Sequence, residues 1–162
     1  MSRSAAVLAL LGATMILSAA PAAAQSRPIQ LALFNPIQIF PEQDAIAGIR
    51  LNLIYSKNRT VSGLDIGLVN HVTGSPSVGL QWSLVGMVDG DFTGLQAGLV
   101  SLTKGKLEGL QWGFFNSGGH VSGVQIGIVN ITDTMYGLQI GLINVIRTGG
   151  QFPVFPIVNW SF

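Results

Sequence analysis

The sequence predicts an all-β fold, a small antiparallel up-and-down β-barrel of about eight strands with one 14–16-residue repeat per strand. Three observations carry that expectation. An eight-residue unit recurs, as GLDIGLVN from Gly63, GLQWSLVG from Gly79, GLQAGLVS from Gly94, GLQWGFFN from Gly109, GVQIGIVN from Gly123 and GLQIGLIN from Gly137. Within each unit side chains alternate with period two, the signature of a strand and not of a helix. Between units stand short glycine-centred turns, "VDGD", "TKGK" and "SGGH", of the kind that close tight hairpins.

The elements follow in chain order. Residues 1–24 read as a signal peptide: Arg3 supplies the positive start, Ala5 to Ala20 an apolar run too short for a membrane-crossing helix of about 20 residues, and Ala22 to Ala24 a small-residue cleavage site. The chain is therefore expected to be exported. Residues 25–46 form an N-terminal segment with a first degenerate copy, PIQLALFN from Pro28, and a proline-rich connector. Residues 47–162 are the β-repeat domain, opening with the weak copy GIRLNLIY from Gly48 and closing with FPVFPIVN from Phe152. Nine copies is an odd number, whereas bacterial outer-membrane barrels have even strand counts. Eight strands are therefore expected from about Ala47, with Ile29 to Phe40 packed against or inside them.

Composition bounds the class. Only 9% of residues are charged against about a quarter in soluble domains, so something other than water is expected over much of the surface. A net charge of +1 offers no field for nucleic acid. The absence of cysteine removes disulfides and thiolate metal sites.

In the hairpin reading Leu110, Trp112 and Phe114 share one face, and Gly109, Gln111, Gly113 and Phe115 the other. The unit is nearly palindromic about its fourth residue, so it tolerates running in alternate directions. Two-residue turns would set Gln81 and Gln111 opposite Gly98, and Gln96 opposite Gly113. A row of amides, Gln81, Gln96, Gln111, Gln125 and Gln139, would then lie in a confined lumen beside residues with small side chains. Arg50 and Asp65 occupy the same row, where the pair can neutralise itself, and Val85, Phe115 and Ile143 would help to fill the space. The leucine face would look outward.

The chain ends IVNWSF, with Val158, Trp160 and Phe162 on alternate positions, which looks like the terminal aromatic signal read by the bacterial outer-membrane insertion machinery. The alternation nevertheless places Phe162 on the glutamine face. Most charges, Asp89, Asp91, Lys104 and Lys106 among them, fall in turns.

The repeated G-L-Q-x-G-L-x-N unit resembles that of bacterial surface-repeat proteins, exported proteins of poorly characterised function, over residues 28–162. The resemblance implies a surface location and carries no catalytic motif. The chief alternative architecture is a parallel β-solenoid with one coil per repeat, stacking Gln on Gln and Asn on Asn. His71 and His120 stand outside any pairing pattern with Asp or Glu, and no catalytic, cofactor or metal residue is identified.

The expected function is accordingly that of a non-enzymatic outer-membrane or surface β-repeat protein, with a side-chain-filled lumen and a structural or interaction role. A soluble or surface-tethered solenoid serving as a binding or spacer module is the alternative, and a small pore the second alternative. The expected partners are outer-membrane lipid and the insertion machinery. The expected location is the outer membrane or surface of a Gram-negative-type bacterium.

Overall fold

The structure, a computed structural model, describes residues 25–162, so the signal-peptide reading of 1–24 lies outside the described residues. The fold is all-β, with strands β1 (Ser26–Phe34), β2 (Ile37–Gln38), β3 (Ala45–Asn58), β4 (Thr60–Val72), β5 (Ser77–Val88), β6 (Phe92–Ile126), β7 (Val129–Thr148) and β8 (Val154–Ser161). They form one eight-stranded sheet in the order β2-β1-β3-β4-β5-β6-β7-β8. From β1 through β7 successive neighbours pair in parallel, with Gly63 on Gly79, Gln81 on Gln96 and Gln125 on Gln139. This is a β-solenoid, one coil per repeat, and not a closed barrel. The expected pairing of Gln81 and Gln111 with Gly98 is replaced by like on like. The first copy packs against the repeats as the outermost coil: β1 is a parallel neighbour of β3, with Gln30 on Arg50.

The first glycine of the unit explains why parallel coiling wins. Gly48, Gly63, Gly79, Gly94, Gly109, Gly123 and Gly137 all have φ between 126° and 148°, a region that L side chains rarely adopt. At each, an added Cβ would lie inside the van der Waals shell of a carbonyl oxygen on the preceding coil, that of Gly94 in the case of Gly109. A column of glycines is what lets identical coils approach and pair at this corner.

Strict alternation also fails inside each unit. The buried positions are the third and the eighth, Gln111 and Asn116 for example, which are an odd number of residues apart. The chain must therefore turn between them, and it does so after the sixth position, which still faces outward. One consequence corrects the sequence reading: Val85 and Phe115 are only half-buried and Ile143 is exposed, because the seventh position lies past the bend.

The interior is layered. A largely apolar column of Ile46, Val61, Phe92, Leu107, Val121 and Met135 occupies one end, and a mixed column, with Val72, Val88 and Ile146 beside buried Thr103 and Thr132, occupies the other. Between them run two polar columns. Each Gln Nε2 donates to the amide oxygen of the preceding coil, Gln139 to Gln125 at 2.7 Å, Gln125 to Gln111 at 2.6 Å, Gln111 to Gln96 at 2.8 Å and Gln96 to Gln81 at 2.7 Å. The asparagine column runs with the opposite polarity: Asn116 donates to Asn130 and Asn130 to Asn144, both at 2.8 Å. Burying a carboxamide is costly unless its donors and acceptors are met, and a ladder of identical amides meets them by repetition.

A ladder of donors aimed one way must end on an acceptor that has nothing to donate. Asp65 is that end, accepting from Gln81 Nε2 at 2.8 Å. Arg50 then neutralises it with two hydrogen bonds of 2.7 Å, Nε to Oδ1 and Nη2 to Oδ2, both residues being essentially buried. One coil further, Gln30 closes on the backbone of Phe40, donating to its carbonyl at 2.8 Å and accepting from its N–H at 3.0 Å.

Candidate interaction face

The outward residues of the unit form two ridges parallel to the solenoid axis. Its fourth positions contribute Ile66, Trp82, Ala97, Trp112, Ile126 and Ile140, placed on one another by the parallel register. Its sixth positions contribute Leu68, Leu84, Leu99, Phe114, Ile128 and Leu142. The floor between them is Gly67, Ser83, Gly98, Gly113, Gly127 and Gly141. Small residues suit the floor because a side chain there points inward: a Cβ on Gly127 would strike the Gly113 carbonyl and crowd Asn116 and Asn130.

The ridges and floor enclose a straight groove of about 1160 Å³, whose lining contains no charged residue. Trp82 is 65% exposed, Trp112 62% and Phe114 59%, values far from those of a core. A second groove of about 620 Å³, lined by Leu31, Leu33, Ile37, Ile39, Leu51 and Leu53 among others, lies at the first coils and shares Asn52 and Leu53 with the first. The apolar surface thus extends along most of the rod. So large a contiguous apolar surface exceeds what a soluble monomer ordinarily presents, and such surfaces mark interaction sites.

The structure brings the seven residues of the expected lumen row, Arg50, Asp65, Gln81, Gln96, Gln111, Gln125 and Gln139, into one buried column, now inside a solenoid and without a lumen around it. Val158 and Trp160 lie on β8, paired with Ile140 and Leu138, while Asn159 between them is buried over Gln139. Trp160 meets Phe152 edge-on with centroids 6.2 Å apart. Phe162, expected on the glutamine side, is instead 80% exposed and meets Tyr136 edge-on at 5.8 Å, since it follows the last strand residue and is not bound by its alternation.

Sequence reasoning missed a polar chain on the turn edge. Tyr55 Oη lies 3.0 Å from His71 Nδ1, His71 Nε2 lies 2.8 Å from Asp89 Oδ2, and Lys104 Nζ lies 2.7 Å from Asp89 Oδ1. The Lys104 ammonium, and after it His71, hold the Asp89 carboxyl below the usual carboxylate range. These residues are 15 to 18 apart, so only coil stacking unites them. None of Tyr55, His71 and Asp89 lines either groove, and among the described residues no cluster of three potential metal ligands occurs. His120 meets Thr134 at 2.6 Å on the exposed edge.

No family model, curated protein or solved structure matches this chain.

Proposed function

We propose that this chain is a non-enzymatic, exported β-solenoid of the bacterial cell surface or outer membrane, and that it works as a rigid interaction module through its apolar grooved face. The single observation that carries the reading is the uncharged groove of about 1160 Å³ between two exposed apolar ridges. Exposing those side chains forgoes burial worth about 25 cal/mol per Å², which a partner on the face would recover. The side chains beneath are tied into amide ladders, so the face is a rigid platform and not an adaptable loop surface. The small pore is set aside, because the two polar columns and the columns at either end fill the interior between them. Outer-membrane lipid stays a candidate partner for the face. The C-terminal strand that carries Val158 and Trp160 also caps the stack.

The test is fractionation of the producing cells. The native protein is expected with the outer-membrane or cell-surface fraction, resisting salt and released with loss of its apolar partner. Recovery of all of it in the soluble periplasm or medium, free of any partner, would sink the reading.

A further inference from the structure

We infer that the occupant of the grooved face is a second copy of this chain, docked face to face along the solenoid axis. The inference rests on the docking reading above and names its partner.

Two features of the face favour a copy of itself. The first is a common period. Parallel coils repeat every 4.7–4.9 Å or so in any such rod, so the ridges of one copy stay in step with the grooves of another over all six units. A lipid surface or an unrelated globular partner has no such period. Dry interfaces between stacked, identical strands exploit the same match.

The second is a knob and a hole in one ridge. Ala97 lies directly between Trp82 and Trp112 in the parallel register. It leaves a gap one side chain deep, flanked by indoles two coils, about 9.5 Å, apart. A two-fold related copy running antiparallel can place its Trp82 in that gap and receive the first copy's Trp82 in its own. The residues contacting each other are then the same on both sides, as an isologous interface requires.

Charge and area agree. The groove lining carries no charge, so two copies do not repel, and it holds no Lys or Arg to engage anionic lipid. The charges of the turn edge cancel in pairs, Asp89 with Lys104 and Asp133 with Arg147. Taking about 100–150 Å² for each of the three aromatics and about 40 Å² for each half-exposed aliphatic, the face offers roughly 700 Å² per copy. That approaches the ~800 Å² per partner of a standard stable interface.

The deciding variant is Ala97→Trp, which fills the hole while adding apolar surface. The native protein, purified without detergent, is followed by sedimentation velocity over a range of concentrations. Cosedimentation with vesicles of phosphatidylethanolamine and phosphatidylglycerol is measured in parallel. A dimer is expected, with Ala97→Trp weakening it at least tenfold at an unchanged melting temperature, and with Lys104→Ser on the turn edge leaving it intact. Should Ala97→Trp fail to fold, Phe114→Ser replaces it, and a weakened dimer is again the expected result. A monomer that binds vesicles, more tightly as Ala97→Trp, overturns the second copy but leaves the docking reading standing. A monomer that binds no vesicles overturns the second copy as well. A dimer indifferent to Ala97→Trp and Phe114→Ser but lost in Lys104→Ser overturns the proposed face.

Discussion

The unit at 137–144, GLQIGLIN, and the last one at 152–159, FPVFPIVN, align in sequence but do opposite things. The first continues the parallel stack on the coil before it, with Gly137 on Gly123. The second reverses and pairs antiparallel, Ser161 on Gly137, Trp160 on Leu138, Asn159 on Gln139 and Ile157 on Gly141. Phenylalanine stands where the first glycine belongs and proline where the second does. A side chain at the first place would strike the carbonyl of the coil before, so the strand cannot continue the stack. Read backwards it still fits, because Asn159 supplies the buried amide over Gln139, with Val158 on Ile140 and Trp160 on Leu138. The near-palindrome of the unit is thus used once, at the cap. The difference teaches that glycine, and not the hydrophobic pattern, decides whether a copy coils or caps. The cap strand also suits an edge, since Pro156 withholds a donor from any strand that would add to it.

The largest effect expected from that comparison comes from giving a coil the cap's bulk. Gly109→Val combines a strained backbone with a clash against Gly94, and about 5 kcal/mol or more should be lost, enough to unfold a domain of ordinary stability. Thermal unfolding followed by circular dichroism checks it. A melting temperature near that of the parent would show that the glycine column does not hold the stack.

Next in size is the terminus of the glutamine ladder. Asp65→Gln or Arg50→Gln alone leaves the other charge buried without its counter-ion, which costs about 3–5 kcal/mol. Replacing both Arg50 and Asp65 by glutamine extends the ladder by two identical rungs. That double variant is expected within about 1 kcal/mol of the parent, with a coupling energy of opposite sign to the single losses. Strict additivity in urea unfolding would show that the pair and the ladder do not share one network.

Smaller still is the cap's own exception. Ile157 has φ of 69° over Gly141, a conformation costing a β-branched residue roughly 1–2 kcal/mol. Ile157→Gly removes that strain and a little apolar contact at the end of the groove. A change under about 1 kcal/mol is expected, against unfolding for a bulky residue at Gly109. A loss above 2 kcal/mol by the same unfolding assay would mean that the side chain, and not the backbone reversal, holds the cap.

The turn edge is expected to matter least. The folded Asp89 carboxyl lies below its ordinary value, mainly through Lys104, so its contribution is present above the unfolded value of about 4 and is lost as pH falls through the depressed one. Lys104→Met should therefore lower the melting temperature slightly at pH 7, by less than about 1 kcal/mol of stability for so exposed a pair, and by less at pH 2. An equal loss at both pH values would assign the effect to packing.

Much of this architecture was legible along the chain. The period, the outward Leu and Trp positions and the buried glutamine row could be read because alternation and repeat length are local properties, identical in a barrel strand and a solenoid coil. Which neighbour each glutamine meets could not be read, since a palindromic unit places Gln against Gly when strands run antiparallel and against Gln when they run in parallel. The Gly109 column held the missing signal: a hairpin does not need an invariant glycine at the start of every strand, whereas a parallel corner does. The Tyr55, His71 and Asp89 chain was hidden for a related reason, because its members come together only across stacked coils.

The sequence by itself determined an all-β repeat fold, the composition of its inner and outer faces, and the place of the one ionic pair that ends the ladder. Those follow from which side chains water rejects and from spacing along a single strand. Only the tertiary structure decided the direction of pairing. Parallel stacking is a long-range property, set where each coil meets the last, and it depends on backbone angles and carbonyl contacts that no single repeat reveals. The same choice turned an expected lumen into two opposed amide ladders, and turned the leucine positions into a continuous ridged face.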